Sequence, residues 1–130
     1  MARPFQVGET FQHVRECDKY RPIYYAGASG DFNPIHLDKE LGELAGLGGT
    51  ILHGMCTLAW AVEAATRFVG DPGKLARVSV RFSRPVAIGD VISFNGKVTA
   101  VDGARLEAHV SATNQRGEDV LKHAVVEFTL

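Results

Sequence analysis

The chain has 130 residues, 45% of them hydrophobic and 22% charged, with a formal net charge of −1. That length predicts one domain, residues 1–130, large enough to bury a core. The near-neutral balance, without a basic tract, argues against a nucleic-acid partner. The two cysteines, Cys17 and Cys56, lie far apart without metal-ligand spacing, which fits a reducing, cytoplasmic setting.

The opening stretch MARPFQVGETFQ has no apolar run of the secretory kind. VGETFQHVRECD reads as a weak strand. DKYRPIYYAGASGD predicts a short helix broken by Pro22 and ended by Gly27 or Gly30. ASGDFNPIHLD then gathers two acids, an amide, an imidazole and a proline. Pro34 disfavours a helical conformation at Asn33, so this run is a shaped loop. Asp38 reads as the N-cap of a second short helix, DKELGELAGLGGT, which runs out into glycines.

From Met55 to Val69 nearly every residue is apolar or small, and Gly70 and Pro72 follow as stop signals. A helix apolar nearly all round is expected to be buried nearly all round, with Met55 and Cys56 in the core. His53, Glu63 and Arg67 interrupt the apolar run, so it does not qualify as a membrane span. Four alternating segments complete the chain: KLARVSVRFSRPV, DVISFNGKVTAV, ARLEAHVSATNQ and DVLKHAVVEFTL. Gly89-Asp90, Asp102-Gly103 and Arg116-Gly117 mark the turns between them. The expected architecture is α+β, a long buried central helix wrapped by a curved antiparallel sheet. The sheet's outer face is expected to be half apolar, which argues for a partner subunit on some edge or face.

In this order, YAGASGDFNPIHLD, ILHGM and VRFSRPVAIGD resemble the MaoC-like (R)-specific enoyl-CoA hydratases and 3-hydroxyacyl thioester dehydratases of the hot-dog fold. The compact length is also similar to the catalytic dehydratase subunit of mycolic-acid-type fatty acid elongation. The resemblance implies interconversion of trans-2-enoyl and (R)-3-hydroxyacyl thioesters, carried on coenzyme A or on an acyl carrier protein. It implies a homodimer, or a heterodimer with a related hot-dog subunit. Asp31 and His36 would share one water and exchange protons with it, either of them being the formal base. Read singly, Asp31 suits an Asx-turn and His36 an interior histidine.

A further task, holding the thioester oxygen as it becomes enolate-like, falls to the start of the central helix, where free N–H groups gather. Gly54 N–H is therefore the expected oxyanion donor. Asn33 and His53 are expected to support the site, Asn33 as a turn residue or by orienting the water. Arg81, with Arg77 and Arg84, is a candidate contact for the phosphates of coenzyme A or for the acidic surface of an acyl carrier protein; read singly, each suits a solvated strand position or an inter-subunit pair. His36, Asp38 and His53 lack zinc-ligand spacing, so no metal is expected, and no cofactor besides the carrier. The rival readings are a hot-dog thioesterase, in which His36 has no task, and a non-catalytic acyl-thioester-binding subunit.

Overall fold

The computed structural model describes residues 3–130. The first strand, β1, is Thr10–Glu16. Helix α1 spans Arg21–Ser29, and Pro22 lies in its first turn. Proline is tolerated there because those N–H groups have no intrahelical partner. Pro22 therefore opens this helix, where the sequence suggested a break. Gly30, at φ 78°, ends it in the left-handed conformation and donates its N–H to Ala26 O at 2.8 Å.

A single 3-10 turn, Pro34–His36, follows from an extended Asn33. Helix α2 is Lys39–Leu44, capped by the Asp38 carboxylate on the N–H groups of Glu40 and Leu41. The central helix α3 is Gly54–Val69. A second 3-10 turn, Pro72–Lys74, leads into β2, Leu75–Phe82. Strands β3 (Val91–Asp102), β4 (Arg105–Thr113) and β5 (Asp119–Thr129) complete the chain.

The strands form one five-stranded sheet in the order β1-β3-β4-β5-β2, antiparallel throughout. Period-two alternation places Ile92, Phe94, Val98, Leu106, Ala108, Val110, Val126 and Phe128 on the inner face, where all are buried. Register shifts in β5 fall around His123, which has φ 53°. Such an irregularity lets the successive residues Val120 and Leu121 both be buried.

Two expectations change. The outer face is mainly polar, with Asn95, Lys97, Thr99, His109, Ser111 and Lys122 exposed along it. The apolar residues of these strands are used up by the alternation that fills the inner face. The central helix is also less enclosed than its composition suggests. Cys56, Thr57, Trp60, Ala61, Ala64 and Ala65 form its buried stripe, while Met55, expected in the core, is 56% exposed. One sheet covers one side of a helix. Cys56 does lie in the core.

The pairing of β1 with β3 depends on Gly96, which faces Phe11 across the ladder. A Cβ at position 96 would lie 2.0 Å from the Phe11 ring, which stacks on Phe68 at 4.8 Å. Gly96→Ala is therefore expected to expel Phe11 and to destabilise the fold by about 1–3 kcal/mol. The urea midpoint should fall with little change in the slope of the transition.

Candidate active site

The loop between α1 and α2 is held by its own polar side chains. Ser29 Oγ donates to Tyr25 O at 2.7 Å and accepts the Asp31 N–H at 3.1 Å. Asp31 Oδ1 accepts the Asn33 N–H at 3.2 Å, and Asn33 Oδ1 accepts the Ile35 N–H at 3.2 Å. These successive Asx-turns shape the DFNPIH run. Asn33 itself is exposed and serves here as a turn residue.

His36 is buried while Asp31 keeps 52% of its side chain exposed. His36 Nδ1 lies 2.9 Å from Ile51 O. A carbonyl only accepts, so Nδ1 carries a hydrogen, and in the neutral ring Nε2 keeps its lone pair. That Nε2 lies 3.9 Å from Asp31 Oδ2. The gap is too long for a direct hydrogen bond and short enough for one water to touch both groups.

His53 lies beneath this pair. Its ring stacks on His36 with centroids 3.9 Å apart and planes 23° from parallel, and it packs against Tyr25 at 4.8 Å. Its Nε2 donates to the backbone carbonyl of Asp31 at 2.9 Å, and its buried Nδ1 has no partner among the described residues. One ligand-type atom from each of Asp31, His36 and His53 falls within 4.8 Å of the others. The lone pairs of two stacked imidazoles lie in nearly parallel planes and do not converge, so these rings do not fit a single ion. Asp38, the third member of the candidate set in the sequence, is occupied in capping α2.

His53 is also the residue before α3, and its side chain makes no capping bond. Cys56 and Thr57 N–H turn back to His53 O, and no bond from Gly54 N–H occurs among the described backbone bonds. The start of α3 thus offers a free donor beside the His36 imidazole. A cavity of ≈ 290 Å³ joins them, walled by Leu52, Phe82, Val86 and Leu121. Gly54 sits close to Phe82: a Cβ at this position would lie 3.1 Å from its ring, a tight contact that the half-exposed ring can relieve by moving a few tenths of an ångström. Burial pushes the Cys56 thiol, two residues into the helix, up to about 11, and Cys17 up to about 12. Neither is a nucleophile at neutral pH.

The structure therefore brings Asp31, His36, His53 and Gly54 together, with Asn33 shaping their loop. Arg81 is not among the residues lining this cavity; it pairs with Lys122 in the β2–β5 ladder. Arg84 lines the cavity instead, with Nη1 3.3 Å from Glu118. Three neighbours lie within the resembling motifs and yet receive no site role from the sequence. The Ile51 carbonyl is a backbone group, while Tyr25 and Phe82 read as ordinary apolar positions.

A helix on one face of a curved antiparallel sheet, with a polar loop at the helix N-terminus, defines a hot-dog protein. Residues 6–120 match the MaoC like domain, and the chain belongs to the MaoC-like dehydratase family. It is 44% identical over 66 residues to the peroxisomal enoyl-CoA hydratase 2 of Arabidopsis thaliana, covering 49% of this chain and 21% of that protein. It is 29% identical to the 3-hydroxybutyryl-CoA dehydratase of Methylorubrum extorquens, over 89% of this chain and 74% of that one. The R-hydratase PhaJ1 of Pseudomonas aeruginosa superposes with a TM-score of 0.88 at 26% identity, over 96% of this chain and 81% of that one. No helix among the described residues is long and apolar enough to cross a membrane.

Proposed function

We propose that the chain is a hydratase/dehydratase interconverting trans-2-enoyl and (R)-3-hydroxyacyl thioesters. The observation that carries this reading is the His36 imidazole, fixed by Ile51 O so that its free Nε2 faces Asp31 Oδ2 across 3.9 Å. A water held in that gap has a proton acceptor on either side. In hydration its oxygen bonds to C3, and its proton passes to the Asp31–His36 pair. Charge builds on the thioester oxygen, where Gly54 N–H receives it. The pair then returns a proton to C2, so one water is added with no net proton change. Dehydration runs the same steps backwards. Membership in the dehydratase family and the likeness to PhaJ1 support the assignment. The test is crotonyl-CoA in an ultraviolet cuvette with a thiol reagent beside it: loss of the enoyl absorbance without free thiol is expected. Free thiol released with the double bond retained would overturn the reading in favour of a thioesterase.

His53 acts in this scheme as a positioning residue. It ties the Asp31 backbone to the helix start and carries the His36 ring on its face. His53→Phe keeps a ring and loses the donor; His53→Gln keeps a donor and loses the ring. Each is expected to lower kcat by up to about 10²-fold, the scale of a small misplacement of reacting groups, with KM little changed. In a His36→Gln background the same changes should cost little further. Full loss in that background would mean His53 acts independently of His36.

The active form is proposed to be a dimer, of this chain or with a related subunit. Met55 and Phe82 border the Gly54 donor and are 56% and 51% exposed, and β2 is an edge strand. An apolar rim around the reacting groups calls for cover. Sedimentation is expected to give a dimer at micromolar concentration; an active monomer would contradict it.

A further inference from the structure

Thr57 lies one helical turn beyond Gly54 on the same side of α3 and lines the cavity that holds the His36 imidazole. It is 3% exposed, yet its side chain makes no hydrogen bond among the described residues. The enclosed polar side-chain atoms without a partner are Arg21 Nε and His53 Nδ1. Thr57 Oγ1 is not one of them, so the little surface that Thr57 keeps includes this oxygen. A helical threonine commonly donates its hydroxyl to a carbonyl three or four residues back. Thr66, on the same helix, does so, to Glu63 O at 3.1 Å. For Thr57 the carbonyl four residues back is His53 O, which already accepts the N–H groups of Cys56 and Thr57. Leu52, Val86, Val120 and Leu121 form much of the cavity wall and offer the hydroxyl no partner. A buried hydroxyl left unbonded is costly, so this one is matched to a group that enters the cavity.

We propose that Thr57 is a further catalytic residue, its hydroxyl giving the thioester oxygen a second donor beside Gly54 N–H. The inference rests on the hydratase/dehydratase reading and adds a side chain to its oxyanion site. Side chains on a helix tilt toward its N-terminus, so Thr57 reaches back toward the free N–H of Gly54. A thioester oxygen offers two lone pairs, and a single N–H meets only one of them. Charge that develops on this oxygen inside an apolar cavity gains from every donor already in place. The hydroxyl keeps its own proton throughout. The Asp31–His36 pair still carries both proton transfers, and the balance of the reaction is unchanged.

The experiment compares two variants of the full chain. Thr57→Val removes the hydroxyl and keeps the shape; Thr57→Ser keeps the hydroxyl and loses the methyl group. Thr57→Val is expected to lower kcat on crotonyl-CoA by about 10²-fold, the scale of one oxyanion donor, with KM little changed. Its melting temperature should equal or exceed that of wild type, because an unbonded buried hydroxyl is gone. Thr57→Ser is expected to recover most of the lost kcat. The second measurement needs no turnover. Butyryl-CoA labelled with ¹³C at the carbonyl has no double bond to hydrate, and the infrared stretch of its bound carbonyl reports the donors on the oxygen. Thr57→Val is expected to raise that frequency and Thr57→Ser to restore it. A frequency unmoved by Thr57→Val, or a wild-type kcat in that variant, would overturn the proposal. Equal losses in Thr57→Val and Thr57→Ser would assign Thr57 to packing and overturn it as well. If Thr57→Val does not fold, Thr57→Ala carries the same two measurements. A wild type that hydrates no enoyl thioester would sink the catalytic reading instead, and the carbonyl frequency alone then decides whether Thr57 meets the thioester oxygen.

Discussion

Asp31→Asn and His36→Gln are each expected to remove most turnover on a short 2-enoyl-CoA, by about 10² to 10⁴, while leaving the protein folded. Asn at position 31 keeps an oxygen where Asp31 Oδ1 accepts the Asn33 N–H, so the Asx-turn survives and only proton transfer is lost. Gln at position 36 gives up the Nδ1 contact with Ile51 O and carries a modest stability cost. His36→Asn belongs beside it, because its amide lies near the Nδ1 position and retains that contact. The double variant should lose little more than the worse single one, since two groups acting on one water are not additive. Turnover and a thermal melt are measured for each variant. A lowered melting temperature with activity per folded molecule preserved would return the motif to a purely architectural role.

Gly54→Pro is expected to lower kcat by about 10² to 10³ with the helix intact. Proline is at home in the first turn of a helix, and Gly54 is not among the positive-φ residues. His53 already has the extended conformation, φ −58° and ψ 131°, that a following proline prefers. The added ring meets Phe82, whose side chain is half exposed and free to yield. The substitution thus deletes one N–H at small structural cost. Gly54→Ala is the control that adds the contact with Phe82 and keeps the donor. If Pro and Ala lose equally, crowding at Phe82 explains the loss; if only Pro loses, the N–H does. A folded Gly54→Pro with near-normal kcat would remove the oxyanion role from this residue.

Much of this arrangement is legible in the sequence because short-range rules govern it. The alternation in DVISFNGKVTAV fixes which face of β3 is buried, and Gly70 stops α3 where expected. DFNPIH folds as a loop because Asp31 and Asn33 each accept an N–H two residues on. What the sequence hides is set by contacts distant along the chain. Pro22 reads as a breaker because nothing local shows that α1 begins one residue before it. The outer sheet face reads as half apolar until register shifts around His123 turn Leu121 inward. Met55 reads as core because an apolar side chain carries no mark of which side of α3 the sheet will cover. Arg81 and Arg84 are alike in the sequence, and only the end of β2 places Arg84 on the cavity wall. Tyr25 beneath His53 and the Ile51 carbonyl at His36 depend on α1 and the loop before α3 meeting in space.

The most direct test follows the oxygen atom. The purified chain is incubated with crotonyl-CoA in ¹⁸O-labelled water, and the products are separated and weighed. The account predicts 3-hydroxybutyryl-CoA with its thioester intact, one ¹⁸O on C3 and the (R) configuration, formed by wild type and not by His36→Gln. Label in a free crotonate carboxyl with coenzyme A released, or the same labelled product from His36→Gln at the wild-type rate, would contradict it.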